Sequence, residues 1–127
     1  MPKSYENKAN HNQDFLDSII NDYPESYFDW KVTVQFYIGL HRCYCVLLIN
    51  GISVTSSHQK NIDNLGTIDK ELSKKLFQVY KNSRQSTYDG FINEDAMNRI
   101  NKINFNSGVS NLKVIVNTVS TYYPVAV

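Results

Sequence analysis

Residues 29–52 read DWKVTVQFYIGLHRCYCVLLINGI, a long stretch that is apolar on most sides of a helix. At helical spacing one stripe holds Trp30, Val34, Tyr37, His41, Tyr44 and Leu48, and a second holds Val32, Phe36, Leu40, Cys43 and Leu47. Two apolar faces indicate a helix that other helices surround, with Trp30 in the core. A membrane span is disfavoured, because Gln35, His41 and Arg42 would lie near mid-bilayer without an evident partner.

Both ends of this helix carry local signals. Ser26 and Asp29 have the spacing of a capping box, in which side-chain oxygens accept the unpaired N–H groups of the first turn. At the other end, Asn50-Gly51-Ile52 fits a left-handed cap, since glycine adopts positive φ without a steric penalty. The pattern predicts a central helix of about six turns and the most buried helix of the protein.

Apolar periodicity predicts further helices on either side of the central one. They are a first helix over Asn12–Asp22, a short helix after Ser56 or Ser57 that ends at Gly66, a helix from near Thr67 to Asp89-Gly90, and a short helix over 93–105. The short helix after the serines carries His58, Ile62 and Leu65 on one face, so that His58 points inward or along a groove.

The segment VSNLKVIVNTVSTYY, residues 109–123, is ambiguous because its β-branched residues favour strands. Its apolar residues recur at helical spacing, Ser110 is placed to cap, and a single strand would have no partner. We therefore predict a closing helix. The fold class is all-α, an antiparallel bundle of four to five helices that forms a single domain over residues 1–127.

Composition restricts the classes of function. A formal net charge of +1 gives no strong field toward nucleic acid or anionic lipid, although a local basic patch stays open. The polar N-terminus has no apolar signal region, which predicts a cytoplasmic protein with no membrane association. Cys43 and Cys45 lie about 200° apart on a helix and are expected to be reduced core thiols. The three histidines are far apart in sequence and no glycine-rich phosphate loop exists, so no metal or cofactor is expected.

The chain resembles the HEPN superfamily, the nucleotide-binding helical domains of higher eukaryotes and prokaryotes, over about Phe15 to Phe91. The matching residues are Asp29-Trp30, Phe36-Tyr37, His41, Leu47, Gly51, Ser57-His58, Tyr80, Ser83-Arg84 and Tyr88. The resemblance implies a helical bundle that is often homodimeric, and a place in a toxin–antitoxin or other defence system.

Active members of this superfamily carry an arginine followed, after four to six residues, by a histidine, and they cleave RNA without metal. Imidazole can exchange protons with the 2′-hydroxyl or the leaving oxygen, and a guanidinium neutralises the phosphorane. Here the motif is missing. The eligible positions hold Asp89, Gly90 and Phe91 after Arg84, Leu47, Leu48 and Ile49 after Arg42, and Asn104, Phe105 and Asn106 after Arg99. This departure favours a binding or regulatory domain over a ribonuclease.

Four residues are candidates for a site, each beside a structural alternative. His41 is either a hydrogen-bonded core histidine or a catalytic residue, and His58 either pins its loop or takes part in a site. Arg84 and Tyr88, one turn apart, are either a surface pair or part of a phosphate, nucleotide or RNA site. Cys43 is a poor nucleophile, because apolar burial raises the pKa of a thiol.

Two classes of function follow. The first is a non-catalytic HEPN-like module that binds a protein, a nucleotide or RNA within a defence or toxin–antitoxin system. The second is a metal-independent endoribonuclease with a degenerate active site, built from Arg84 and either His58 or His41. Nine tyrosines and the apolar C-terminal residues of TYYPVAV, 121–127, further predict a homodimer.

Overall fold

The computed structural model describes the backbone of residues 2–88 and 94–123, and the side chains of all of these except residues 87, 88 and 94. Within these residues the regular structure is entirely α-helical, which confirms the predicted all-α bundle. The five helices are α1 (Pro2–Asp22), α2 (Phe28–Ile49), α3 (His58–Gly66), α4 (Lys70–Tyr88) and α5 (Glu94–Tyr122).

Helix α2 is the centre of the bundle and contacts each of the other four helices. It has the length and mean hydropathy (1.4) of a membrane-spanning helix, but 72% of that apolar window is buried inside the fold. Packing against the neighbouring helices therefore accounts for its apolar composition. The C-terminal cap is confirmed, because Gly51 has a φ of 74° and the Ile52 amide donates to the Leu47 carbonyl at 2.9 Å.

The N-terminus of α2 differs from the predicted capping box. Tyr27 precedes the helix in the left-handed conformation, with a φ of 59° and no side-chain cap. Its ring packs edge-on against Tyr23, with ring centroids 4.9 Å apart, and the buried Lys31 ammonium donates to the Tyr23 carbonyl. These contacts fix the chain reversal, and they leave Ser26 outside the helix.

Two residues of α2 that helical spacing assigned to an apolar stripe lie at the surface. Trp30 is 59% exposed and Tyr37 is 40% exposed, so the prediction that Trp30 is in the core was wrong. Val32, Phe36, Leu40 and Leu47 of the second stripe are buried. Val34 and Tyr44 of the first stripe are buried as well, so only part of that stripe, including the rings of Trp30 and Tyr37, lies at the surface.

Helix α1 begins ten residues before its predicted start at Asn12. Proline is tolerated in the first turn of a helix, where its missing N–H would be unpaired anyway. Tertiary contacts then hold the polar segment: the Tyr5 ring stacks on His41, and Ala9 is buried. Glu6 is buried too, and a hydrogen bond from Tyr123 holds its carboxyl pKa below the usual value.

The two helices predicted over 93–105 and 109–123 are one continuous helix, α5. Ser110, expected to cap the second, lies inside it and is exposed. The glycine between them, Gly108, has a different role: a Cβ atom there would overlap the side-chain amide of Gln35. That amide donates to the Phe105 carbonyl at 3.0 Å, so Gly108 marks a close approach of α5 to α2 and not a helix end.

Candidate functional site

An open groove of about 330 Å³ lies where α2, α3 and α4 meet. It is lined by Thr33, Phe36, Tyr37, His58, Tyr80, Ser83 and Arg84. None of these side chains is acidic. The groove brings together two of the candidates that are 26 positions apart in sequence, His58 and Arg84. We call it the His58–Arg84 groove.

The position of His58 follows from the N-terminus of α3. Ser57 caps the helix, its hydroxyl accepting the Lys60 amide at 3.2 Å, which confirms one of the two serines predicted for this role. His58 is thereby the first helical residue and is half-buried against aromatic rings. Its ring centroid lies 5.3 Å from that of Phe36 and 6.1 Å from that of Tyr80, and both rings meet it edge-on.

A hydrogen-bonded chain orients the His58 ring. The Tyr44 hydroxyl lies 3.4 Å from His58 Nδ1 and accepts a hydrogen bond of 2.9 Å from the Asn61 amide. The Tyr44 hydroxyl can donate its own proton or accept a second hydrogen bond, so either the hydroxyl or Nδ1 supplies the proton of this contact. The contact occupies Nδ1 and leaves Nε2 as the nitrogen available to a ligand.

Asn61 anchors this chain from the interior, where it is 1% exposed. Its amide nitrogen donates to the Tyr44 hydroxyl and the Thr55 carbonyl, both at 2.9 Å. Its amide oxygen accepts from the backbone N–H and the hydroxyl of Thr55, at 2.8 and 2.9 Å. A buried amide with all of these groups bonded has a fixed orientation, so Asn61 holds Tyr44, and through it His58, in place.

Arg84 lies on the opposite wall with its side chain exposed. Its guanidinium donates to the Tyr80 hydroxyl at 3.1 Å and lies 5.7 Å from the centre of the Tyr80 ring. The sequence predicted a pairing one turn later, with Tyr88. The Tyr88 side chain lies outside the described residues, so its role as a binding residue stays a prediction. Tyr80 contacts both candidates, because its ring touches His58 and its hydroxyl holds Arg84.

His41 does not line the His58–Arg84 groove. It lies one turn beyond Tyr37 on α2, where its Nδ1 is 3.4 Å from the Asn12 amide nitrogen. Burial, with smaller contributions from the charges of Lys8 and His58, lowers its pKa to about 4. His41 is therefore neutral at pH 7, in keeping with the hydrogen-bonded alternative.

Neither cysteine lines the His58–Arg84 groove. Cys43 and Cys45 are free and buried. Burial raises the pKa of the Cys45 thiol to about 11, and that of Cys43 even further, so both are protonated at neutral pH. Across the described part of the chain, no group of three His, Cys, Asp or Glu side chains is placed to hold a metal ion.

Sequence reasoning missed Asn61, assigned Tyr44 only to an apolar stripe, and gave Tyr37 no role in a site. One signal was available for Asn61, which precedes Ile62 on the buried side of a short amphipathic helix where an amide needs partners. No comparable signal marks Tyr44, whose hydroxyl acquires its role only through contacts with α3.

Comparison of the chain with protein-family models, with curated proteins and with solved structures found no match. Membership of the HEPN superfamily therefore stays a prediction that rests on the sequence pattern.

Proposed function

We propose that the protein is a non-catalytic binding module whose ligand is single-stranded RNA or a nucleotide, held in the His58–Arg84 groove. The observation that carries this proposal is the shared groove, in which an exposed guanidinium and an oriented imidazole face aromatic rings. Arginine matches phosphate oxygens with paired N–H donors, and His58 Nε2 is a further nitrogen that can hydrogen-bond to a ligand. We place the module in a defence or toxin–antitoxin setting, following the resemblance to HEPN domains.

Exposed aromatic rings next to the groove support a ligand that contains bases. Tyr37 forms part of the lining and is 40% exposed, and Trp30, two turns before it on α2, is 59% exposed. On α4, Phe77 is 38% exposed, with its ring centroid 6.4 Å from that of Tyr80. Bases stack on such rings irrespective of sequence, at roughly 1–3 kcal/mol per base. A cation beside exposed rings is the combination that single-stranded nucleic acid requires.

Binding is tested with a fluorescently labelled RNA of eight nucleotides and the variants Arg84→Ala and Arg99→Ala. Arg99 is an exposed arginine of α5 that is absent from the groove lining, which makes it the matched control. Arg84→Ala should weaken binding by about ten- to a hundredfold, since a charge-assisted hydrogen bond contributes roughly 1.5–3 kcal/mol. It should also reduce the salt dependence of log K by about 0.7 for a single lost phosphate contact.

Arg99→Ala should bind as the unchanged protein does. Equal affinities for Arg84→Ala and Arg99→Ala would remove the groove from the proposal. If the unchanged protein binds neither RNA nor a nucleotide at millimolar ligand, both are excluded as ligands. A protein partner is then the remaining alternative.

A second candidate function, metal-independent RNA cleavage, is favoured by the same shared groove, because its lining contains both types of residue that the chemistry requires. In this mechanism His58 Nε2 either takes the 2′-hydroxyl proton while water protonates the leaving 5′-oxygen, or, in its protonated form, donates to the leaving oxygen while water takes the 2′-hydroxyl proton. The 2′-oxygen attacks the phosphorus, the bond to the 5′-oxygen breaks, and a 2′,3′-cyclic phosphate remains. Arg84 neutralises charge on the phosphorane. His41, in a different groove and neutral, has no direct part.

Cleavage is tested with single-stranded RNA in the presence of a chelator. The binding-module proposal expects no turnover, because the arginine–histidine motif of the active relatives is missing. If cleavage occurs, His58→Gln should lower the rate by about 10² to 10⁴, the usual contribution of one acid–base group. Cleavage that survives in both His58→Gln and Arg84→Ala would come from a contaminating nuclease and would refute the enzymatic candidate.

A further inference from the structure

A second groove, of about 470 Å³, lies on the other side of Tyr37, between α1 and α2. It is lined by Asn7, Lys8, His11, Asn12 and His41, and we call it the Lys8–His41 groove. Tyr37 separates the two grooves, with its ring centroid 6.1 Å from that of His41 and 6.4 Å from that of His58. The two grooves therefore adjoin along one face of α2.

The chemistry of the second groove resembles that of the first. Lys8 supplies an exposed ammonium, and among the described residues it pairs with no carboxylate. Two asparagine amides and the exposed His11 add donors and acceptors, and none of the described side chains in this lining is acidic. These groups match a phosphate or a base edge and would repel neither.

Neighbouring aromatic rings lie between the two grooves. His41 stacks on Tyr5, with ring centroids 5.8 Å apart and an interplanar angle of 23°, and Lys8 Nζ lies 5.2 Å from the centre of the Tyr5 ring. Tyr37 is next along α2 and 40% exposed. Because His41 is neutral, it acts here as an aromatic platform and donor, while Lys8 carries the positive charge.

The distance between the two grooves along α2 indicates how long a ligand must be to occupy both. Thr33 in the first groove and His41 in the second are eight residues apart on α2, which corresponds to about 12 Å along the helix axis. A ligand with a single phosphate occupies one groove. A strand that fills both places a phosphate in each and stacks a base on Tyr37 between them.

From this arrangement we propose that the ligand is a single-stranded RNA oligonucleotide that spans both grooves, and not a mononucleotide. The inference rests on the proposed function, because it extends the binding site of the His58–Arg84 groove. Arg84 holds one phosphate, Lys8 and His11 hold another, and Tyr37 stacks the intervening base.

The experiment measures the affinity of the full chain for AMP and for RNA of two, four and eight nucleotides. The variants are Lys8→Ala, Arg84→Ala and, as the matched control, Lys70→Ala at an exposed lysine fourteen residues before Arg84 on α4. The unchanged protein should bind the tetranucleotide at least about tenfold more tightly than AMP, since a second phosphate contact is added. Lys8→Ala should abolish most of that gain, Arg84→Ala should weaken the binding of both ligands, and Lys70→Ala should change neither affinity.

Failure of this inference is distinguishable from failure of the proposed function. Equal affinity for AMP and tetranucleotide, with no effect of Lys8→Ala on either, would show that the ligand does not occupy the Lys8–His41 groove. Binding in the His58–Arg84 groove would be unaffected by that result. No affinity for any of these ligands overturns the proposed function itself. A DNA tetranucleotide that binds more tightly than RNA overturns the assignment to RNA. Lys8 is exposed, so Lys8→Ala should keep the helical circular dichroism of the unchanged protein.

Discussion

The fold lowers the pKa of the His41 imidazole below its usual value. Burial is the largest cause of its pKa of about 4, followed by the charges of Lys8 and His58. An unperturbed histidine titrates near 6.5, so the folded protein resists a proton that the unfolded chain accepts. This difference links the stability of the protein to pH.

We predict that the free energy of unfolding falls as the pH drops from about 6.5 to 4. In that window the unfolded chain binds more protons at His41 than the folded protein does, and the contribution is fully present above pH 6.5. Urea unfolding between pH 7.5 and 4 should show a shallower decline for His41→Gln. His11→Gln, at an exposed position of α1, is the control and should follow the unchanged protein. Parallel curves for all three proteins would contradict the prediction.

At the scale of single residues, helical periodicity gives the faces of a helix but not which face is buried. Trp30 and Tyr37 recur with the right spacing for a core stripe, yet both are exposed. The reason is that the other helices bury Val34 and Tyr44 of the same stripe but leave these two rings uncovered, which depends on residues far away in the chain. Exposure of these rings is also what makes them available to a stacked base.

Among the elements, the close approach of α5 to α2 depends on one glycine, Gly108. Isolated helix propensity makes alanine more favourable than glycine by about 1 kcal/mol, so Gly108 on its own would weaken a continuous helix. The close approach of α5 to α2 changes this, because the Gln35 amide occupies the space of a Cβ atom. The continuous helix is compatible with glycine because no side chain is needed there.

Gly108→Ala should therefore destabilise the protein by about 1–3 kcal/mol, in spite of its higher helix propensity, because overpacking forces α5 away from α2. The same substitution should cost much less in a Gln35→Ala background, where the overlapping amide is gone. Ser110→Ala, at an exposed position of the same helix, is the control and should change the free energy of unfolding by less than about 0.5 kcal/mol. Additive effects of the two substitutions would show that the helices do not approach closely at this point.

For the whole molecule, the predicted homodimer depends on an apolar surface that a single chain leaves exposed. Nine tyrosines and the apolar C-terminus motivated it from sequence, and residues 124–127 lie outside the described structure. Within the described chain, α5 exposes Ile103, Val109 and Val114, at 67%, 51% and 41%. Exposed aliphatic side chains of this size are candidates for coverage by a second copy.

Light scattering should accordingly give a mass of twice 14.7 kDa at micromolar concentration. The mass should persist in about 1 M salt, because burial of apolar surface is not screened as ion pairs are. A mass of 14.7 kDa at every concentration up to about 100 μM would contradict the homodimer.

The sequence by itself determined the features that depend on residues within about one turn of each other. It predicted the all-α class, the central helix, the Gly51 cap and the short helix that Ser57 begins, because apolar spacing and caps are local signals. It also identified His58 and Arg84 as site candidates. It could not decide whether His58 or His41 shares a groove with Arg84, since the three residues lie on separate helices.

Only the tertiary structure decided what depends on contacts across the bundle. Packing by α4 and α5 chose the buried face of α2, and contacts with α2 and Tyr123 made the polar start of α1 helical. The groove exists because α3 and α4 meet beside α2, where His58 and Arg84 face a common space. The physical reason is that packing is cooperative over the whole chain, so burial at one residue depends on every element that competes for the same surface.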